Sequence, residues 1–395
     1  MALAGALAFI LVATLSPTST ERPEFAGCLV CGARAWADVI ANVLLYAPLG
    51  VALALGGWSG ARPVVLGFVL SCVIEFAQIL IPGRDPSLVD VCCNTIGTAV
   101  GQGVVWLVDR ALLWKPQTLA RLSLLAAGAA LGVFILTALL LAPAPLAPPF
   151  TVSVNAAIPE MSWYRGRVLR IRSGGVLVRP GRVLDSTAAR GLLERGDSLD
   201  LDLIAGPPVR SLAPMLLIQD RSGAEAFLLG PDRDDLVLRY RPRAVLVGLD
   251  RPDVRLRQAF AGVSPGDTLH VTVRRVGSGA CLSLNAVVSP QCSASSLGSG
   301  WALIFYPRHL PAWIISLLEA AWVAGLCIPI GLWASRRYEA GIALAVLAAA
   351  LVVIPPRTGL AHTPVHEVLG AGLGVLSGRI LSAWLRATRL RRSAG

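Results

Sequence analysis

Charged side chains are scarce in this chain of 395 residues. Asp, Glu, Lys and Arg together make up 15% of it, whereas an ordinary soluble domain has about 25%. Hydrophobic residues account for 55% and the mean hydropathy is +0.66. This composition excludes a soluble single-domain enzyme. It also excludes a disordered chain, which would be poor in apolar residues.

Lysine is nearly absent as well, because Lys115 is the single lysine among 35 basic residues in a chain of net charge +11. We interpret the excess of arginine as codon bias and predict no nucleic-acid partner. The sequence has no phosphate-binding glycine loop, no Ser/His/Asp arrangement and no haem or flavin motif. We therefore predict no cofactor and no metal. Without such motifs the sequence does not decide whether the protein is an enzyme, and it favours a protein without enzymatic activity.

Eight segments approach the length of about 20 apolar residues that a helix needs to cross a bilayer. They are Leu3–Ser16, Asp38–Gly57, Val64–Ile81, Val91–Val108, Leu122–Leu141, Leu310–Trp333, Tyr338–Pro355 and Val365–Leu385. The first is short and has no basic residue before it, which favours a retained helix over a cleaved signal peptide. The predicted fold class is an α-helical polytopic membrane bundle with an inserted all-β domain, and the predicted partner is the lipid bilayer.

The basic residues of the short loops predict the orientation of these helices. With the N-terminus inside, the cytoplasmic loops carry a net charge of +8 and the opposite loops −2. Cytoplasmic loops of membrane proteins are enriched in Lys and Arg. The pattern predicts a multi-pass protein whose large central segment lies outside the cytoplasm.

The central segment has no long apolar run and is predicted to form a β domain. We expect residues 1–148 to form a membrane domain of five spans, 149–308 the extracytoplasmic β-sandwich, and 309–395 three further spans with a basic tail. Short apolar stretches separated by turn residues are typical of a sandwich. They are Leu199–Ile204, Pro214–Ile218, Ala226–Leu229, Leu236–Tyr240, Ala244–Val247, Leu269–Val273, Cys281–Leu284 and Trp301–Phe305.

The cysteines fall into three groups. Cys281 and Cys292 lie in the β domain, and outside the cytoplasm we expect them to form a disulfide. Cys28 and Cys31 form a lone C-x-x-C in the first outer loop, for which a structural disulfide or two free thiols is favoured over a zinc half-site or a redox role. The remaining four lie within predicted spans, where a buried free thiol is the simplest interpretation.

Two hairpins are similar at an offset of 273 residues. Ile81-Pro82-Gly83-Arg84 aligns with Ile354-Pro355-Pro356-Arg357, and Asn94-x-x-Gly97-x-x-x-Gly101 aligns with Glu367-x-x-Gly370-x-x-x-Gly374. A parallel repeat and a chance likeness between apolar hairpins both stay open. The spacing of small residues predicts close helix packing. The second hairpin carries polar residues at the same face of the membrane as the first, namely Arg357, His362, His366 and Glu367. For its histidines, a position at the membrane interface is favoured over a metal site.

The first hairpin places ionisable and amide groups at membrane depth. Glu75 and Gln78 share one helix face, Arg84 follows in the loop, and Asp90 and Asn94 share a face of the next helix. Ionisable groups inside a span usually face a protein interior or a water-filled cavity. We predict that these five side chains converge in one outward-facing pocket as ligand-binding residues. Satisfied structural contacts, such as Glu75 or Asp90 paired with Arg84, are the alternative.

These residues resemble the VanZ-like family. The run Asp38-x-x-x-Asn42-Val-Leu-Leu-Tyr-Ala-Pro48-Leu-Gly50 is similar to its motif, as are Glu75-Phe-Ala-Gln78, Pro82-Gly-Arg84 and Asp90-Val-Cys-Cys-Asn94-Thr-x-Gly97. The resemblance covers about residues 1–110 and implies a multi-pass protein of the bacterial cytoplasmic (inner) membrane. A member linked to teicoplanin resistance gives the family its name, and the resemblance implies no particular reaction. Ala348, Leu351 and Thr363 stand in the second hairpin where Glu75, Gln78 and Asp90 stand in the first.

The central domain resembles a concanavalin A-like (laminin G-like) jelly roll. The similar stretches are Ala213–Ile218, Phe227–Gly230, Asp235–Arg241, His270–Val273 and Leu284-Asn285. The resemblance implies carbohydrate binding by analogy only, since a fold does not fix a function.

Three functions remain open from the sequence. The first is binding of a cell-wall glycan or lipid-linked envelope precursor, with Arg84 meeting a phosphate. The second is a membrane enzyme that uses Glu75 or Asp90 as general acid/base, which makes these two the candidate catalytic residues. The third is transport or scaffolding without chemistry.

Overall fold

Eight helices and a β domain are seen in the computed structural model, which describes residues 2–16, 34–81, 84, 86–111, 113–159, 161–179, 183–184, 198–276, 279–285, 291–293, 295–307 and 310–394. The helices are α1 (Ala2–Leu15), α2 (Ala35–Leu55), α3 (Arg62–Gln78), α4 (Leu88–Ala111), α5 (Pro116–Leu141), α6 (Ala312–Trp333), α7 (Arg337–Thr358) and α8 (Val365–Ala394). Cys28, Cys31, Pro82, Gly83 and Asp85, which the sequence analysis singled out, lie outside the described residues.

Six of these helices are long and apolar enough to cross a membrane, namely all except α1 and α3. Helix α1 has 14 residues and α3 has 17, so both fall short of the about 20 that span a hydrocarbon core without distortion. The structure therefore supports a helical membrane part, and eight spans remains a prediction.

Close glycine contacts fix the arrangement of α2, α3 and α4. A Cβ at Gly97 would lie 2.3 Å from the Val43 carbonyl oxygen, and one at Gly101 would lie 2.0 Å from that of Ala47. Four residues further along α4, the contact has also moved four residues further along α2, so the two helices run parallel with their backbones in contact. Helix α3 runs antiparallel to α4, because Gly67 lies against Thr98 and Ser71, one turn further along α3, bonds to Asn94, one turn earlier on α4.

The second helical unit repeats this arrangement. A Cβ at Gly370 would lie 2.4 Å from the Ala320 oxygen, and one at Gly374 would lie 2.3 Å from that of Ala324, so α6 and α8 are also parallel. Helix α5 contacts α6 and α7 as α1 contacts α2 and α3. The two four-helix units, α1–α4 and α5–α8, therefore have the same arrangement of contacts within them. The β domain enters the second unit between its first and second helices.

The β domain consists of two six-stranded antiparallel sheets, in the orders β4-β1-β6-β7-β8-β9 and β12-β11-β10-β5-β2-β3. The strands are β1 (Phe150–Val154), β2 (Arg167–Ser173), β3 (Val176–Val178), β4 (Val183–Leu184), β5 (Leu199–Ile204), β6 (Leu216–Gln219), β7 (Glu225–Asp232), β8 (Asp235–Tyr240), β9 (Val254–Leu256), β10 (Thr268–Val276), β11 (Gly279–Leu284) and β12 (Gln291–Ser293). In β5, buried Leu199, Leu201 and Leu203 alternate with partly exposed residues and contribute to one apolar core shared by the two sheets. The jelly-roll topology remains a prediction.

Two of the predicted strand segments are helical. Ala244–Val247 lies in a 3-10 helix at Arg243–Val247, since Pro242 precedes it and Gly248 ends it in the left-handed region with a φ of 65°. Most of Trp301–Phe305 belongs to a second 3-10 helix, Gly298–Leu303, which leads the chain back to α6. Apolar composition alone does not distinguish a short strand from a buried helical turn.

The cysteines of the β domain lie opposite each other on paired strands. Cys281 on β11 is the register partner of Cys292 on β12, and the two are joined by a disulfide. Cys72, Cys92, Cys93 and Cys327 carry free thiols.

Candidate functional site

The first helical unit gathers its polar side chains between α2, α3 and α4. Asn42 on α2 donates from Nδ2 to Asp90 Oδ1 on α4 at 2.7 Å. One turn further along α4, Asn94 donates from Nδ2 to the Ser71 hydroxyl of α3 at 2.9 Å. The parallel contact of α2 with α4 brings Asn42 and Asp90 together although 48 residues separate them.

Glu75 occupies the centre of this group. Its side chain is buried, and Oε2 accepts the backbone N–H of Ser87 at 2.8 Å. It lies close enough to Asp90 and Arg84 for electrostatic interaction with both. Two carboxylates, Glu75 and Asp90, therefore lie in the same group of polar side chains, each with a hydrogen-bond donor from a different residue.

Two buried polar atoms of this group have no hydrogen-bond partner among the described residues. They are the Tyr46 hydroxyl and Asn94 Oδ1. The Tyr46 hydroxyl lies near Ser71 without reaching hydrogen-bond geometry. Buried polar atoms are nearly always paired, so these two mark places where a ligand or a water would bond.

Gln78 and Arg84 anchor the end of α1. Gln78 Nε2 donates to the Thr14 carbonyl at 2.9 Å, and the Arg84 guanidinium donates to the carbonyls of Ala13 at 2.6 Å and Ser16 at 3.0 Å. The last carbonyls of a helix lack partners within the helix, and a cation there is favourable. Among the described contacts Arg84 makes no ion pair with Glu75 or Asp90, so the pairing considered from the sequence is not found.

Arg84→Ala is expected to lower the free energy of unfolding by about 1–2 kcal/mol, because two charge-assisted hydrogen bonds to α1 are lost. Thermal unfolding of the detergent-solubilised protein would measure this. Arg62→Ala is the matched control, since Arg62 is exposed at the opposite end of α3. Equal effects of the two substitutions would contradict the anchoring role.

The β domain docks at the start of α2, next to this group. The N–H groups of Trp36 and Ala37 donate to the Gly248 carbonyl at 3.1 and 3.0 Å. Arg34 donates to Asp250 at 2.9 Å and lies 4.0 Å from Asp38. Asp38 is exposed and lies one helical turn before Asn42. The exposure of the polar groups thus falls from Asp38 through Asn42 and Asp90 to buried Glu75 and Asn94.

All five predicted ligand-binding residues lie along the interface of α3, α4 and the loop between them with α1 and α2, which we call the seam. They form two groups with different partners. Asp90 bonds to α2, Asn94 bonds to α3, and Glu75 accepts from the backbone that precedes α4. Gln78 and Arg84 bond to α1. Their role in binding stays a prediction. Sequence reasoning did not single out Tyr46 or Ser71 as site residues. Their spacing of four from Asn42 and Glu75 would have placed each on the same helix face.

Comparison with known proteins bears on the first helical unit. The family model VanZ/LLP1 matches residues 6–109, which run from α1 nearly to the end of α4. No curated protein and no solved structure matches the chain. The concanavalin A-like resemblance of the β domain therefore stays a prediction. The α1–α4 unit is therefore similar to VanZ/LLP1 proteins, and six helices of the described part of the chain are long and apolar enough to cross a membrane, as in a multi-pass membrane protein.

Proposed function

We propose that this protein binds the sugar- or amine-bearing headgroup of a cell-wall glycan or lipid-linked envelope precursor at the VanZ-like seam. The observation that carries the proposal is the Asn42–Asp90 pair, which connects exposed Asp38 to buried Glu75 beside the docked β domain. Loop charges support a bacterial cytoplasmic membrane location with the β domain outside. A contribution to glycopeptide (teicoplanin-type) resistance belongs to the same proposal, through the family resemblance.

The charge of the seam favours hydroxyl or ammonium donors over a phosphate. Asp38, Glu75 and Asp90 contribute three carboxylates, and the guanidinium of Arg84 is held by α1 carbonyls. A phosphate would meet this acidic surface where Arg84 already bonds to the α1 carbonyls and Arg34 is paired with Asp250 and Asp38. Sugar hydroxyls and amines can donate to carboxylate oxygens and to the unpartnered Asn94 Oδ1.

The β domain offers a second contact for the same ligand class. A shallow groove on it is lined by Tyr164 and Phe260 together with Arg233 and Asp234. Aromatic walls with a few polar groups are typical of small-molecule sites. We assign glycan contact to this groove as part of the proposal.

The test is binding to the full chain in lipid nanodiscs, with three probes. They are a polyprenyl-linked disaccharide-peptide precursor, the polyprenyl phosphate alone, and soluble wall-glycan fragments. We expect binding of a sugar-bearing probe, weakened about 10-fold by Asp90→Asn or Glu75→Gln, since a charge-assisted hydrogen bond is worth about 1.5–3 kcal/mol. Asp202→Asn is the control, because Asp202 pairs with His270 on an outer face of the β domain.

Three outcomes would overturn the proposal. Binding of none of the sugar-bearing probes removes it. Equal affinity for the polyprenyl phosphate alone assigns recognition to the lipid or the phosphate. Equal losses in Asp90→Asn and Asp202→Asn place the ligand away from the seam.

The presence of two carboxylates, Glu75 and Asp90, in the same group of polar side chains favours one alternative, a membrane enzyme that modifies a lipid-linked envelope substrate. Two carboxylates in different environments are a usual acid/base pair. Mass spectrometry of envelope lipids from cells carrying Glu75→Gln or Asp90→Asn tests it, together with glycopeptide susceptibility. An accumulated substrate in both variants supports the enzyme, and unchanged lipids with unchanged susceptibility contradict it.

A further inference from the structure

The second helical unit has its own polar cluster at the position equivalent to the VanZ-like seam. Glu319 precedes Ala320, whose carbonyl touches Gly370, as Asn42 precedes Val43, whose carbonyl touches Gly97. Glu367 lies three residues before Gly370, as Asn94 lies three before Gly97. The two amides of the first unit are thus replaced by two carboxylates in the second.

His366 completes this cluster. One ligand atom each of Glu319, His366 and Glu367 lies within 4.8 Å of the other two. His366 Nε2 is 3.0 Å from Glu319 Oε2. Arg357 and His362 of the same hairpin are exposed. The cluster therefore joins α6 to the first turn of α8.

Serines from the returning segment of the β domain hold the carboxylates. Ser299 donates to Glu319 Oε1 at 2.8 Å, and Ser296 donates to Glu367 Oε1. A Cβ at Gly298 would lie 2.5 Å from Glu367 Oε1, so a larger residue there would displace this side chain. Such outer hydrogen bonds are how proteins orient the ligands of a metal.

One oxygen of the cluster lacks a partner. Glu367 is fully buried, with a relative exposure of 0%, and its Oε2 has no hydrogen bond among the described residues. A buried carboxylate oxygen without a partner is strongly unfavourable. A bound cation would supply the missing interaction.

We propose that Glu319, His366 and Glu367 bind a divalent transition-metal ion of the Zn²⁺ type. Zinc accepts imidazole nitrogen and carboxylate oxygen together, whereas Ca²⁺ and Mg²⁺ bind through oxygen alone. Three protein ligands leave a coordination position for water. His366 is about one-third exposed, which gives the ion a route in. Through Ser296 and Ser299 the ion fixes the β domain against α6 and α8.

The experiment is isothermal titration of the metal-stripped full chain in detergent with ZnCl₂, with MnCl₂ and CaCl₂ in parallel. We expect about one zinc per chain and at least about 10-fold weaker binding of calcium. His366→Gln should weaken zinc binding by about 10-fold or more, in line with the loss of one ligand. His362→Gln is the matched control, an exposed histidine of the same hairpin that is not part of the cluster.

Glu319→Gln provides a second variant, because its amide oxygen can still accept from Ser299 and preserve the fold. Thermal unfolding of each variant without metal verifies folding, and zinc should raise the unfolding temperature of wild type by about 5 °C at saturation but not that of the two cluster variants. Absence of zinc binding in wild type, or equal affinity in wild type, His366→Gln and Glu319→Gln, would overturn the site. A loss in His362→Gln as large as that in His366→Gln would do the same. The site stands apart from the ligand of the VanZ-like seam, so it fails or holds independently.

Discussion

Gly101→Ala is expected to destabilise the VanZ-like unit by about 2–3 kcal/mol or more, since its new methyl group would overlap the backbone of α2. The added Cβ would lie 2.0 Å from the Ala47 carbonyl oxygen and 2.9 Å from the Val51 nitrogen. Both atoms belong to helix backbone, so relief requires the two helices to separate. Separation would also break the Asn42–Asp90 bond and open the candidate site.

Gly103→Ala is the matched control on the same helix, because a Cβ there meets nothing within 4 Å. Alanine is the better helix former by about 0.5–1 kcal/mol, so this substitution should be neutral or stabilising. Thermal unfolding in detergent, followed by size-exclusion fluorescence, measures both. Gly374→Ala and Gly372→Ala repeat the comparison in the second unit, where the Cβ at Gly374 would lie 2.3 Å from the Ala324 oxygen. Similar effects of the two substitutions within each pair would contradict the close helix contacts at Gly101 and Gly374.

The glycine spacing shows what the sequence can and cannot specify about a helical bundle. The Gly97 and Gly101 repeat predicts one face of close contact on α4, because small residues four apart share a face. The glycine spacing does not identify α2 as the helix that α4 contacts. The Asn42–Asp90 bond forms only because α2 is that helix. The sequence alone does not distinguish a repeat from a chance likeness at the offset of 273 residues, whereas Gly370 and Gly374 make the same kind of helix contact as Gly97 and Gly101.

Arg84 shows why the partners of a polar side chain are harder to predict from the sequence than its location. The residue types suggested an ion pair with Glu75 or Asp90, or a phosphate partner. The observed partners are the carbonyls of Ala13 and Ser16, which no side-chain pattern records. The end of α1 exposes unpaired carbonyls in three dimensions only. The sequence therefore predicts that Arg84 lies near the other polar residues, but it does not predict which atoms Arg84 contacts.

In the β domain, the alternation of apolar residues predicts strands such as β5, but it does not predict the buried charges that join neighbouring strands of one sheet. Arg255 donates from Nη2 to Asp232 at 2.7 Å and to Asp253 at 3.3 Å, and from Nη1 to Asp235 at 3.4 Å. Its side chain is 4% exposed, and Arg239 pairs with Asp253 from the other side at 3.1 Å. The aspartates and arginines lie on three different strands and the loop before β9, so no local pattern marks the network.

Arg255→Ala is accordingly expected to lower the free energy of unfolding of the β domain by about 3–5 kcal/mol. Removing one member of a buried charge network leaves its partners buried without compensation, here Asp232 and Asp253. Tyr306 lies against the same network, and burial followed by the charge of Asp253 raises the pKa of its hydroxyl. The segment leading to α6 should therefore loosen together with the sheet.

Arg170→Ala separates this effect from a general loss of positive charge. Arg170 is half exposed and lies 4.0 Å from Asp202 on the other sheet, where an ion pair contributes about 0–1 kcal/mol. Thermal unfolding and limited proteolysis of the full chain compare the two variants, with cleavage expected first near Tyr306 in Arg255→Ala. Equal stability of the variants would mean that water reaches the aspartates once the guanidinium is gone. The buried network would then not stabilise the β domain, contrary to the prediction.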